Sequence, residues 1–401
     1  MPEVGEHIHV QPVGVAHGGA MIAHLSGPQG RATVFVRHAL PGEAGRAVVT
    51  GVRSRGRIVF ADMVEAASPA AGRVAPPCSA SGPGGCGGCD FQHIALPVQR
   101  ELKAEVVRDC LVRIGRFDLA AVPWDGSVRA VPGDEHGLRW RTRGRFLAAA
   151  EGLAMRRYRS ADPVAVADCP ITQEAVLDEA RSAAAEVTPP AEVFGVRSSQ
   201  GDLRGGPTGR AGRETVRERV AGRSFRVAAE GFWQVHPGAP LALVDEVLAV
   251  LSPQADEVLL DLFAGVGLFG AVCADAVPLR RIEAVEGDRT AARHASANLA
   301  DIPGASVHRA PVLRWLRDYQ GEADLVVLDP PRTGAGAAVL AELDRLRPRA
   351  ISYVACDPAA LARDLRTMAD LGWRLEHLAA FDMFPMTHHI ECVAGLSPTT
   401  R

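Results

Sequence analysis

The hydrophobic rhythm of the chain changes twice. Up to about residue 70, short apolar runs with alternating polar positions are broken by glycine turns, at 7–15, 32–36, 45–52 and 56–64. A period of two puts alternate side chains on opposite faces of a strand. Several such strands with Gly/Pro turns predict a small OB-like β-barrel. Residues 71–90 lose the pattern and gather cysteines and glycines. Between 97 and 114 the apolar positions Leu102, Val106, Val107, Cys110 and Ile114 recur at helical spacing. A less regular stretch from about 120 to 225 carries candidate strands at 138–149, 151–158 and 193–198 and a candidate loop at 201–212.

From about 226 strands and helices alternate. Strands are predicted at 257–262, 281–285, 323–328, 350–354 and 389–393, with helices at 241–251, 290–299, 337–346 and 358–371 between them. That order implies a mostly parallel sheet covered on both faces. The fold class expected is therefore multidomain. It comprises a barrel at 1–70, a central α+β domain with a four-cysteine site at 71–225, and a Rossmann-like α/β domain at 226–401. Ligands in such α/β folds bind beyond the C-terminal ends of the strands. Asp261, Glu286, Asp329 and Cys356 all fall there.

Composition narrows the class. The 401 residues are 47% hydrophobic, enough for several cores. The formal net charge of −3 gives no overall cationic signature, which leaves a local nucleic-acid patch open. Arginine carries nearly all the positive charge, and Lys103 is the one lysine. No secretion signal and no clean membrane-length apolar run are visible. The eight cysteines lack the regular spacing of a secreted disulfide scaffold, so a cytoplasmic setting is expected.

The chemistry concentrates in three places. Val258–Gly270 runs from a strand through a glycine loop into a helix. Gly265 and Gly267 let the backbone approach a ligand closely. Asp261 suits the ammonium of an amino-acid ligand, and Glu286 suits a pair of ribose hydroxyls. Those features fit S-adenosyl-L-methionine and also NAD, since Gly265, Gly267 and Gly270 satisfy G-x-G-x-x-G literally. The second place is Tyr353-Val-Ala-Cys356-Asp-Pro358 with Phe384-Pro-Met-Thr-His388-His389-Ile-Glu391. A thiol nucleophile and a separate carboxylate base are what methylation at C5 of a pyrimidine requires. Asp329, in Leu328-Asp-Pro-Pro-Arg332, is placed to accept a hydrogen bond from a base ring, and His388 and His389 to orient Glu391 or contact phosphate. The third is Cys78, Cys86 and Cys89, spaced C-x7-C-x2-C, with Cys169 as a distant fourth. Four thiolates imply zinc or an iron–sulfur centre. Arg139, Arg141, Arg143 and Arg145 alternate and predict a basic stripe for RNA, continued by Arg156, Arg157 and Arg159. Phe232 and Trp233 precede the last domain, to stack on a flipped base or pack the junction.

Taken together, the chain resembles RNA 5-methyluridine methyltransferases of the TrmA/RumA type. The resemblance is carried by Gly231–Val235, Asp261–Gly270, Leu328–Arg332, Tyr353–Pro358 and Asp382–Glu391. It implies a TRAM barrel at the N-terminus and a [4Fe–4S] cluster, rather than zinc, on Cys78, Cys86, Cys89 and Cys169. It implies Cys356 as nucleophile and Glu391 as base. Gln234, Asp261, Gly265, Gly267, Glu286 and Asp329 would bind S-adenosylmethionine. Phe232, Asp329, Arg139, Arg141, Arg143 and His389 would meet the RNA, and a helix at about 94–117 would pack on the catalytic domain. Barrel and cluster point to the branch acting on 23S ribosomal RNA, with tRNA as the alternative, in a monomer. The chain departs from the family in His236 (often Asn), Asp357 (Asn) and the lack of an acid near Ala310. Two other functions compete: a catalytically inactive RNA-binding or assembly protein, and an NAD-dependent oxidoreductase with an iron–sulfur centre.

Overall fold

Three sheets and one hairpin organise the computed structural model, which describes residues 2–27, 30–209 and 214–399. The first sheet takes β1 (His7–Val10), β2 (Gly14–Val15), β3 (Met21–Gly27), β4 (Gly30–Arg37), β5 (Ala44–Arg53) and β6 (Ile58–Ser68) in the order β1-β5-β6-β4-β3-β2. Alternation drives it: Ile8, Val10, Ala32, Val34 and Val36 point inward while their neighbours do not. Among the described residues no ladder joins β2 back to β1, so a closed barrel is not established.

Next comes α1 (Leu96–Arg113), which starts at a proline and ends short of 117. Its apolar side, Leu102, Val106, Val107 and Cys110, is buried as the spacing predicts. Two polar residues are buried with it. Gln99 Nε2 donates to the carbonyls of Phe91 (3.1 Å) and Ile94 (2.8 Å), and its Oε1 accepts the Met386 amide at 2.8 Å. Lys103 Nζ lies 2.5 Å from Asp382 Oδ1 and 3.1 Å from the Phe384 carbonyl. The chain's one lysine thus fastens α1 to the segment leading into Glu391.

The middle of the chain forms β7 (Arg129–Ala130), β8 (Arg143–Ala149), β9 (Gly152–Arg156), β10 (Pro163–Ala165), α2 (Glu174–Ala185), β11 (Ala191–Arg197) and β12 (Leu203–Pro207). Five of these strands make an antiparallel sheet, β10-β9-β8-β11-β12. Gly195 and Gly205 let α2 lie flat on it, because a Cβ at either would collide with a carbonyl of the helix. The loop expected at 201–212 contains β12, and its residues 210–212 lie outside the described residues. A hairpin, β13 (Thr215–Val220) with β14 (Arg223–Ala228), follows.

The C-terminal part contains α3 (Ala239–Leu251), β15 (Val258–Leu262), α4 (Leu268–Ala276), β16 (Arg281–Glu286), α5 (Arg289–Asn298), β17 (Ala305–Arg309), α6 (Val312–Asp318), β18 (Leu325–Leu328), α7 (Ala337–Leu346), β19 (Ala350–Ala355), α8 (Pro358–Asp370), β20 (Trp373–Asp382) and β21 (Glu391–Pro398). Its sheet order is β17-β16-β15-β18-β19-β21-β20-β7. The five strands β15 to β19 run parallel, and β15, β18 and β19 are wholly buried, which is why they read as mostly apolar runs. This is the Rossmann-like sheet expected. It departs from expectation at its end, where β20 and β21 are antiparallel and the last strand runs 391–398 instead of 389–393. β7 extends the same sheet from the middle of the chain. Among the described residues no helix is long and apolar enough to cross a membrane.

Candidate active site

The antiparallel return of β21 brings the thiol and the acid together. Ala355 pairs with Cys392 across the β19–β21 ladder. The ladder ends at that pair, and the next residues on the two chains are Cys356 and Glu391, close enough for the Glu391 charge to act on the thiol. β19 stops there because Pro358 opens α8 and the Asp357 side chain caps it, accepting the Ala360 amide at 2.8 Å. Burial, then the charges of Glu391 and Asp329, push the Cys356 thiol up to about 11, while Arg332 opposes them. Glu391 is 2% exposed. Burial and then Asp329 hold its carboxyl well above the ordinary range, again against Arg332. Cys356, Glu391, Asp329 and Arg332 therefore share one electrostatic environment. Arg332 was not singled out from the sequence, although it closes the Asp-Pro-Pro turn. Its Nη2 lies 3.5 Å from His389 Nε2, and burial lowers His389 to about 3, so that ring is neutral. His388 Nδ1 instead pairs with Asp90 Oδ2 at 2.5 Å.

The glycine loop lies beyond β15. Phe263, Gly265 and Gly267 all have positive φ (62°, 56° and 84°), and Gly267 opens α4. The turn is thus left-handed even at a phenylalanine, a strained conformation. Two acids hold it. Asp261 Oδ2 accepts the Gly270 amide at 2.9 Å, and Glu286 accepts Gly265 N (2.8 Å) on Oε2 and Asp288 N (2.6 Å) on Oε1. The other oxygen of Asp261 is buried with no hydrogen-bond partner, which is costly unless a ligand donates to it. Burial raises Asp261 and Asp329 to about 7, each pushed further by neighbouring acids. An acidic cluster with an unmet acceptor fits a cationic amino-acid ligand.

The segment Gly231–His236 borders this region. Gln234 is nearly buried, whereas Phe232 is 75% exposed. Trp233 takes the packing role instead, its ring 5.9 Å from that of Phe225. His236 is buried, accepts the Gly238 amide at 3.2 Å and stacks on Trp140 with ring centroids 5.9 Å apart. Its substitution for the family's asparagine is thus accommodated by packing.

The arginine stripe does not form. Of Arg139, Arg141, Arg143 and Arg145, the last two lie on β8, and Arg156 ends β9. Arg139 has a left-handed backbone and pairs with Asp168 at 2.8 Å. Arg141 turns toward the cysteines, its Nε bonded to the Arg143 carbonyl at 3.1 Å. Arg143 is buried, donating to Glu218 (2.8 Å) and to the Gly231 carbonyl (2.9 Å). It supports the Phe232 segment from beneath instead of facing solvent.

Cys78, Cys86, Cys89 and Cys169 do line one cavity, with Gln92, Arg141, Met155 and Ile171. Among the described residues, however, no group of three or more His, Cys, Asp or Glu side chains is placed to hold a metal ion. The expected [4Fe–4S] or zinc site is therefore not supported. Burial raises the thiols of Cys78, Cys86 and Cys89, which favours neutral thiols in the chain as it stands.

Comparison with known proteins adds independent findings. A family model described as tRNA (Uracil-5-)-methyltransferase matches residues 313–398, a span that includes Asp329, Cys356 and Glu391. An uncharacterized RNA methyltransferase of Streptomyces coelicolor is 39% identical, covering 99% of this chain and 94% of the relative. One from Bifidobacterium longum is 34% identical, covering 94% of each. The fold matches the crystal structure of Pyrococcus abyssi tRNA (uracil-54, C5)-methyltransferase in complex with S-adenosyl-L-homocysteine. There the TM-score is 0.69 at 20% identity, over 98% of this chain and 100% of that one. The 23S branch implied by the sequence resemblance is overturned, since both the family model and the full-length structural match carry a tRNA description. The barrel and cluster on which that branch rested are not established either.

Proposed function

The chain belongs to the RNA methyltransferases that its full-length relatives represent, and we propose that it methylates uracil C5 in transfer RNA. Its general activity is S-adenosylmethionine-dependent RNA (uracil-C5) methylation. The observation that supports the chemical reading is the β19–β21 ladder, whose last pair, Ala355 with Cys392, is followed by a thiol on one strand and a buried acid on the other. The tRNA reading is favoured by the descriptions of the matching family and fold.

S-adenosylmethionine, when bound, supplies an electrophilic methyl group. Asp261, through its unpartnered oxygen, and Asp329 and Gln234 would hold its amino-acid end, Glu286 its ribose, and Gly265 and Gly267 would admit it closely. The protein's own groups do the rest. Cys356, as thiolate, forms a bond to C6 of uracil, and the electron pair of the C5–C6 double bond moves toward C5 and O4. C5 becomes nucleophilic and accepts the methyl group. Glu391, as carboxylate, removes the C5 proton. The electron pair of that C–H bond restores the double bond, and the C6–S bond breaks to return the thiolate. Arg332 offsets the negative charge that this cycle places between two acids and a thiolate. The base must leave its stack to reach the thiol, and the exposed Phe232 ring suits stacking on it.

Methyl-labelled S-adenosylmethionine with undermodified tRNA and, separately, 23S rRNA tests both parts. Label is expected as 5-methyluridine from tRNA. Label from 23S rRNA alone would overturn the substrate, and no labelled nucleoside from either would overturn the chemistry. A second expectation follows from Asp261 and Asp329. Burial makes both carboxyls weaker acids, which favours their protonated forms in the folded protein. That contribution to stability is full below about 3.8 and is lost as pH rises through about 7. A cation binds the deprotonated forms, so affinity for S-adenosylmethionine should rise between pH 6 and pH 8. Calorimetric titration reads this, and a flat profile would remove Asp261 and Asp329 from the cofactor site.

A further inference from the structure

The first sheet reaches the pocket by one turn. Between β2 and β3 the chain runs Ala16-His17-Gly18-Gly19-Ala20. It is closed by Ala16 N to Ala20 O (2.8 Å) and Gly19 N to Ala16 O (3.1 Å). Gly18 and Gly19 both have left-handed φ, 91° and 83°. The second glycine is also required by space, because a Cβ there would stand 2.6 Å from that of His388 and 3.4 Å from the Phe91 ring. The tip therefore seats against the histidine three residues before Glu391. On its other side His17 Nε2 lies 3.0 Å from Asp357 Oδ2. The same carboxylate uses its second oxygen to cap α8. Asp357 is the residue after Cys356, and it is the position where this chain departs from the family's asparagine. One turn thus touches both flanks of the Cys356–Glu391 pair, across 340 residues of sequence.

We propose that His17 is a positioning residue for methyl transfer, holding the Cys356–Asp357 turn in place from the N-terminal sheet. The role rests on Cys356 being the nucleophile. Two physical effects follow from the contact. The hydrogen bond fixes the turn on which the thiol is carried, and small displacements of a reacting group are expensive in rate. It also sets a partner against the Asp357 carboxylate, which would otherwise stand bare next to a developing thiolate. The hydrogen bond to Asp357 raises the pKa of His17, which favours its imidazolium there. The charged and titratable groups around the pair are Cys356, Glu391, Asp329 and Arg332 in the pocket, Asp90 and His388 beneath the turn, and Cys110 of α1 and Cys392 of β21 behind it. Among these, the contact with His17 is the one that joins Asp357 to the N-terminal sheet.

RNA carrying 5-fluorouridine separates positioning from packing. Fluorine replaces the C5 proton that Glu391 would remove, so the C6–S bond persists after methyl transfer and a denaturant-stable complex accumulates. With the full chain and S-adenosylmethionine, His17→Ala is expected to slow adduct formation on the order of tenfold or more, with cofactor affinity within about twofold of wild type. His17→Gln, which keeps a neutral donor, should recover most of the rate. Equal adduct rates for wild type and His17→Ala would overturn the positioning role while leaving the methyltransferase reading intact. So would a His17→Ala loss that glutamine does not restore and that tracks cofactor affinity. If wild type itself forms no adduct, the nucleophile assignment falls, and the role of His17 with it.

Discussion

Cys356→Ala is expected to abolish 5-methyluridine formation, by about 10⁴-fold or more, while S-adenosylmethionine affinity stays within about twofold. The size of the effect follows from the substrate. Uracil C5 does not attack a methyl donor until something has added to C6, and Cys356 is the nucleophile that follows the last β19–β21 pair. Cys392 is the next thiol along, but it is fully buried and its ionisation is strongly opposed. Asp261, Glu286 and the glycine loop are untouched by the change, so cofactor titration serves as the control for folding. The same thiol sets the pH response. With its pKa pushed up to about 11, only ~0.1% is thiolate at pH 8, and adduct formation should rise roughly tenfold per pH unit below that value. Retained labelling by Cys356→Ala, or an adduct rate that falls with rising pH, would sink the mechanism.

Glu391→Gln should separate the two halves of the cycle. Glutamine keeps the shape and removes the acceptor for the C5 proton. Thiol addition and methyl transfer can proceed, but elimination cannot, so ordinary uridine RNA should remain bound through sulfur. Turnover is expected to fall by about 10²–10⁴-fold, with a denaturant-stable complex that wild type does not accumulate. The substitution also removes a buried carboxyl whose ionisation burial disfavours, so little loss of fold stability is expected from it. Gel analysis of the RNA–protein complex under denaturing conditions checks this. Undiminished turnover without trapped complex would show that another group takes the proton.

The parts of this arrangement that were legible in the sequence are those written locally. Strands β15 and β19 are mostly apolar, and the chemistry-bearing residues lie at or just beyond their ends. Glycines 265 and 267 announce a turn by their own conformational needs. What failed did so because the deciding partner is remote. Arg139, Arg141, Arg143 and Arg145 share a parity that suggests one exposed face. Yet Glu218, 75 residues on, draws Arg143 inside, and Asp168 captures Arg139. The direction of β21 was equally hidden. A short apolar run reads the same in either orientation, and only the ladder with β19 decides that Glu391 comes to Cys356. Arg332 and His17 were overlooked for the same reason, since neither lies near its partner in sequence. The cysteines converge on one cavity, but spacing could not fix their mutual geometry.

The sheet that carries Cys356 is completed by strands far apart in the chain, β7 and β21. β7 lies along β20 and covers that edge of the sheet. β21 enters between β19 and β20, while Lys103 and Gln99 reach the Asp382–Met386 segment from α1. On the ribosome, residues 96–130 emerge well before β20 and the Asp382–Met386 segment that they contact, and β21 emerges after both of its neighbours. The nascent chain must therefore keep β19 and β20 apart until the final strand arrives, and no product that stops before β21 can contain both the thiol and the acid. An unfinished chain can bury hydrophobic surface, but it lacks the acid that completes the cycle on RNA.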